Sequence, residues 1–149
     1  MSELMSFERK VLIHSSPEAV FAVLSDLGQS RQWMHAIQRI EGVTPGPFKL
    51  GTEWTESRKA GKRTMVSKVR VASFEPSTRL GLEVDGGMMK GQMTFTLEPR
   101  GNGAEVTYRA QMTGKGFFRL MTGKMNKMMA AEDDDILERL RKQVEGGHS

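Results

Sequence analysis

LGLEVDGGMMKGQMTFTLEPRGNGAEVTYRAQM, residues 80–112, alternates apolar and polar side chains through three segments separated by turn residues. Leu80, Leu82 and Val84 share one parity. Met89, Gly91, Met93, Phe95 and Leu97 share one, against Met88, Lys90, Gln92, Thr94 and Thr96 on the other. Ala104, Val106, Tyr108, Ala110 and Met112 do the same against Glu105, Thr107, Arg109 and Gln111. A period of two is that of a half-buried strand. Asp85-Gly86-Gly87 marks a hairpin, and Pro99 to Gly103 marks another turn. Consecutive strands joined this tightly form an antiparallel meander with one dry face and one wet face.

The pattern extends towards the N-terminus. Thr52–Lys59 and Lys62–Phe74 flank Ala60-Gly61, a hairpin signal, and Glu75-Pro76-Ser77 is a turn. Ile37–Val43 is apolar but irregular, which allows a bulge. Pro45-Gly46-Pro47 leaves the chain little freedom. Phe7, Arg9, Val11 and Ile13 predict a first strand over about 6–14. Ser16 is a cap residue and Pro17 suits the first helical position, so a helix is predicted over about 17–26, with Val20, Phe21, Leu24 and Leu27 at helical spacing. Ser30 to His35 is read as a second short helix.

Towards the C-terminus the period changes. Phe117, Met121, Met125, Met128 or Met129, Glu132, Ile136, Leu140 and Val144 recur every three or four residues. That predicts a helix over about 117–145, weakened near Gly123 and ended by Gly146-Gly147. The amphipathic stripe of such a helix must lie on the dry face of the sheet.

Composition bounds the function. The chain has 149 residues, a size suited to one domain, and no cysteine, which excludes disulfides and thiolate chemistry. Net charge is +4, without the clustering of a nucleic-acid module. Arg58, Lys59, Lys62 and Arg63 form one basic cluster and Glu132 to Asp135 one acidic run, both read as solvated faces. No apolar run is long enough to span a membrane, and no leader pattern opens the chain, so a cytoplasmic location is expected. His14, His35 and His148 have no metal-ligand spacing. No nucleophile elbow or phosphate loop is present. The expectation is no metal, no cofactor, no nucleic-acid partner and no catalytic constellation.

Strand, two short helices, six antiparallel strands and a long helix is the order of the helix-grip fold: α+β, a curved seven-stranded antiparallel sheet around a long C-terminal helix. The sequence also resembles the START/SRPBCC superfamily, in its polyketide cyclase/dehydrase and lipid transport branch. The residues carrying the resemblance are Ser16-Pro17-Glu18-Ala19-Val20-Phe21-Ala22-Val23-Leu24-Ser25-Asp26, then Trp33, Pro45-Gly46-Pro47 with Gly51-Thr52, Phe74-Glu75-Pro76, and Leu137 to Glu145. It covers about residues 6–145. The family's breadth, from lipid carriers to aromatase/cyclases, leaves function open.

Twelve methionines are the compositional oddity. Met65, Met93 and Met112 fall on inward strand faces, and Met121, Met125 and Met129 lie on or near the helix stripe with Phe117. They either line an adaptable apolar pocket or fill an irregular core. Trp54, Glu56 and Arg58 share a parity, so Glu56 either orients a ligand or pairs with a neighbouring cation at the rim. Phe95 and Tyr108 face inward by parity, and the Tyr108 hydroxyl needs a partner. Trp33 is structural or gate-like, near the cavity mouth of related folds. Glu132 is either a perturbed acid or base or a solvent-facing carboxylate. The leading expectation is a monomer or homodimer that binds a small hydrophobic molecule, lipid or polyketide-like, between sheet and helix. The alternatives are a cyclase, aromatase or dehydratase built on Tyr108 with Glu56 or Glu132, and a protein-interaction module without a ligand.

Overall fold

The computed structural model describes residues 3–34, 36–60, 62–87, 89–114 and 135–146. Its element order is β1 (Glu3–Ile13), α1 (Pro17–Leu24), α2 (Ser30–Trp33), β2 (Ile37–Glu41), β3 (Glu53–Ala60), β4 (Arg63–Glu75), β5 (Arg79–Asp85), β6 (Met89–Arg100), β7 (Gly103–Gly114) and α3 (Ile136–Gly146). The strands form one seven-stranded antiparallel sheet in the order β1-β7-β6-β5-β4-β3-β2. Only the β1–β7 pairing is non-sequential; the rest is the expected meander. This is the α+β helix-grip arrangement. The predicted helix over about 117–145 is described from Ile136 onward; its earlier part, with Phe117, Met121, Met125, Met129 and Glu132, lies outside the described residues.

Cross-strand register builds the inner face as rows of apolar side chains. Trp54 stands opposite Val69, Val69 opposite Val84, Leu82 opposite Met93 and Met93 opposite Ala110. A parallel row runs Leu80, Phe95 and Tyr108 and ends at the half-buried Arg9 on β1. The register shift between Val71 and Ser73 inserts Ala72 and brings Phe74 onto the same face. Strand β2 slips between Ile37 and Arg39, the irregularity its sequence allowed.

Both α1 and α2 cover one end of this face. Ser16 Oγ accepts the Ala19 N–H at 3.1 Å and Pro17 occupies the first turn, so α1 starts where its sequence directs. It buries Val20, Phe21 and Leu24. Both helices end earlier than predicted, α1 at Leu24 and α2 at Trp33. For α1 the reason is local: Ser25 Oγ donates back to the Phe21 carbonyl, and Asp26 accepts from Gly28 N–H at 2.9 Å and from the Gln29 amide at 2.8 Å. A short polar side chain thus competes with the next helical turn.

Helix α3 buries Ile136, Leu137, Leu140 and Val144 and lies against β1, α1 and α2. Glu145 accepts the His14 N–H at 3.0 Å, and the Gln143 amide donates to Gln29 and Gln32 at 2.8 and 2.6 Å. These bonds tie the end of the chain to the end of β1 and to the α1–α2 corner.

Candidate functional site

A cavity lies between α1–α2 and the inner face, and α2 delivers two of its walls. Trp33 is 2% exposed and meets Phe95 edge-on, ring centroids 5.8 Å apart and planes at 78°. Met34 follows it. The sheet supplies Val69, Leu80, Leu82, Met93 and Phe95 from β4, β5 and β6. The β2–β3 loop supplies Phe48. That loop is held rigidly: Gly46 and Gly51 take φ of 98° and 89°, which only glycine adopts without strain. Thr44 pairs with Glu53, and Gly51 N–H donates to the Val71 carbonyl at 2.9 Å. Phe48 is thereby set against Trp54 and Phe74, at 6.0 and 5.9 Å.

One corner of this apolar lining is polar. The Trp54 indole N–H donates to Glu56 Oε1 at 3.1 Å, and the Arg58 guanidinium stands 3.3 Å from Glu56 Oε2. The Glu56 side chain is 7% exposed and that of Arg58 18%. Alternation along β3 puts Trp54, Glu56 and Arg58 on one face, so the fold, not a preference for the interior, carries the charges inward. Buried charges persist only when compensated, and here the carboxylate accepts the Trp54 N–H on one oxygen and has the Arg58 guanidinium as an ion-pair partner beside the other. Arg58 therefore leaves the basic hairpin cluster it was grouped with, and Glu56 is both inward and paired rather than at the rim.

The free volume of the cavity is about 20 Å³, room for about one water. Outside it, Ser25, Asp26, Gly28, Val43, Gly46 and Thr52 line an open groove that shares Leu27 and Phe48 with the cavity. Those two side chains stand between inside and outside.

Of the residues singled out in the sequence, Trp33, Trp54, Glu56, Met93 and Phe95 line this cavity. Trp33 is a buried part of that lining. Met65 is half-buried beside Arg58 in register and does not reach the lining. Tyr108 is fully buried but belongs to a neighbouring stack, 4.8 Å from Phe95 and 5.7 Å edge-on from Phe7. Among the described residues it does not share a cavity wall with Glu56. Met112 is buried across Gly91, where an added Cβ would fall 2.0 Å from the methionine sulfur. Phe117, Met121, Met125 and Met129 lie outside the described residues. The other lining residues were not singled out as site residues, among them Leu27, Ser30, Met34 and Phe48 and, from the sheet, Val69, Leu80 and Leu82. Met34 and Phe48 are apolar residues in or next to turns, where no periodicity marks a face; Leu27 continues the spacing of Val20, Phe21 and Leu24 but lies past the end of α1.

Among the described residues no three His, Asp or Glu side chains converge as a metal site, and no helix is long and apolar enough to cross a membrane. Residues 5–145 match the family described as polyketide cyclase / dehydrase and lipid transport. The chain belongs to that family. Solved structures sharing the fold of this polyketide cyclase/dehydrase and lipid transport domain include TTHA0849 from Thermus thermophilus, at 17% identity and TM-score 0.78 over 97% of this chain and 99% of that one. The KanY protein is 25% identical, with TM-score 0.73 over 97% and 99%. Ara h 8.0201 is 17% identical, with TM-score 0.72 over 95% and 97%. Compared with curated proteins, the sequence matches none. This family member shares its fold with these structures.

Proposed function

We propose that this chain, acting as one domain, binds or carries a small, mainly apolar molecule between α1–α2 and the inner face of the sheet. One observation carries the reading: an apolar lining that, among the described residues, is interrupted by Ser30 and by one buried corner of Trp54, Glu56 and Arg58. A wall of this kind gains free energy by desolvating apolar surface, while the few polar groups set orientation. Family membership supports it.

Because the free volume is about 20 Å³, a larger molecule is accommodated only when side chains move. Leu27 and Phe48, shared with the outer groove, are the ones placed to do so. Binding then selects an opened state, and the apparent affinity falls by the fraction of molecules that are open. The small volume also favours a second reading, a filled module acting through its surface. Leu50 and Val66, 61% and 59% exposed, are apolar residues available to such a partner.

Native mass spectrometry of the purified chain, then denaturing extraction, separates the two. The binding reading expects a co-purifying apolar molecule that is absent from a folded Met93→Trp variant. It also expects a thermal shift with some member of a panel of lipids and aromatic ketones. Ligand at a hundred times Kd adds about 2.7 kcal/mol, or roughly 5–11 °C for a chain this size. An empty protein with no shift, in both wild type and a Phe48→Ala variant, overturns it in favour of the surface module.

A further inference from the structure

The two indoles of this chain are differently served. Trp54 Nε1 has its acceptor in Glu56, whereas Trp33 Nε1, in a side chain 2% exposed, has no acceptor among the described residues. Buried N–H groups are satisfied in the great majority of proteins, and an exception calls for a specific cause. The Trp33 ring is also held in place. Phe95 meets it edge-on, the Met34 N–H closes α2 on the Ser30 carbonyl at 2.8 Å, and Gln143 clamps Gln29 and Gln32 at the start of the helix.

We infer that the molecule occupying this cavity presents a neutral hydrogen-bond acceptor, a carbonyl or ether-type oxygen on an apolar skeleton, to the indole N–H of Trp33. The inference rests on the cavity-binding reading above and adds the ligand's chemistry to it. An indole donates and cannot accept, so a ligand hydroxyl serves only through its oxygen lone pairs. A carboxylate is disfavoured because it would be desolvated in a lining whose one cation, among the described residues, is already set against Glu56. A pure hydrocarbon leaves the donor as it is. The selectivity is therefore for apolar ketones, esters and ethers over hydrocarbons and acids of the same shape.

The test uses the full chain labelled with ¹⁵N, which carries two indole N–H groups. A Trp54→Phe variant assigns their resonances, so the experiment does not depend on a Trp33 substitution folding. The probes are 1-indanone and indane, matched in shape and differing in one carbonyl. The expected result is a downfield shift of the Trp33 N–H with 1-indanone but not with indane, and binding of the ketone about tenfold tighter. Where Trp33→Phe folds, it brings the two affinities together. Equal binding of both probes with the Trp33 resonance unmoved overturns the anchor and leaves the cavity reading standing. A long-lived water cross-peak on the Trp33 N–H that persists with 1-indanone bound overturns it too, since the donor then serves a structural water. Binding of neither probe removes both the anchor and the cavity.

Discussion

Replacing Glu56 by leucine while leaving Arg58 in place tests the buried corner most directly. The substitution removes a hydrogen bond from Trp54 Nε1 at 3.1 Å and a carboxylate 3.3 Å from the Arg58 guanidinium. A hydrogen bond to a charged group contributes about 1.5–3 kcal/mol, and breaking one side of a buried pair costs about 3–5 kcal/mol. The upper end assumes full burial. With the arginine side chain 18% exposed, water relieves part of the penalty, and the expected loss is about 3 kcal/mol. For a chain of this length that is a fall in Tm of roughly 6–12 °C. Glu56→Leu with Arg58→Met removes both charges. It is expected to recover only the share due to the stranded arginine and to stay about 1–2 kcal/mol below wild type, because replacing a whole buried pair is often neutral while the Trp54 N–H still lacks its acceptor. Urea unfolding followed by circular dichroism, with the slope checked for constancy, reads both values, and the two single variants with the double complete the coupling cycle. A Glu56→Leu loss under about 0.5 kcal/mol, or a double variant as unstable as the single, would refute the reasoning. Either would mean that the corner is solvated and not a buried pair.

Gly103→Ala should destabilise the chain by about 2–3 kcal/mol in the same urea assay, because the new Cβ would lie 2.3 Å from the Ile13 carbonyl oxygen and β7 would have to part from β1. Ser16→Ala should cost about 1 kcal/mol, read as a lower Tm, since it strips the cap from the Ala19 N–H. Arg109, bonded to Glu8 across β1 and β7, holds the Glu8 carboxyl below its ordinary value of 4.5. A carboxyl lowered in the folded state binds fewer protons there than in the unfolded chain. Its stabilisation is therefore complete above pH 4.5 and lost as pH falls through the folded value. Glu8→Gln should accordingly flatten the acid limb of a stability–pH profile and leave its neutral region parallel to wild type.

The alternation in residues 80–112 determined the strands, and short turns between them determined that neighbours pair antiparallel. Those are local properties: a period of two and a turn with few residues leave little other choice. Ser16-Pro17 likewise fixed the start of α1, and the pattern Ile136, Leu140, Val144 fixed which face of α3 is buried. Parity even put Trp54, Glu56 and Arg58 on one side of β3. What parity does not carry is which side of a curved sheet is closed over, and by what. Arg58 looked like part of an exposed basic hairpin until pairing of β3 with β4 and coverage by α2 placed it beside a buried carboxylate. Tyr108 and Glu56 share the inward face by sequence, yet the width of the sheet puts Tyr108 behind Phe95 and away from the cavity. Leu27 keeps the helical spacing of α1 but is placed by a turn clamped by Asp26, and Phe48 has no periodicity to mark it because its loop is stitched to β4. That Trp33 Nε1 has no acceptor among the described residues is the furthest from sequence of all. An unsatisfied donor is a relation between a ring and everything packed around it, and only the assembled tertiary structure defines that surrounding.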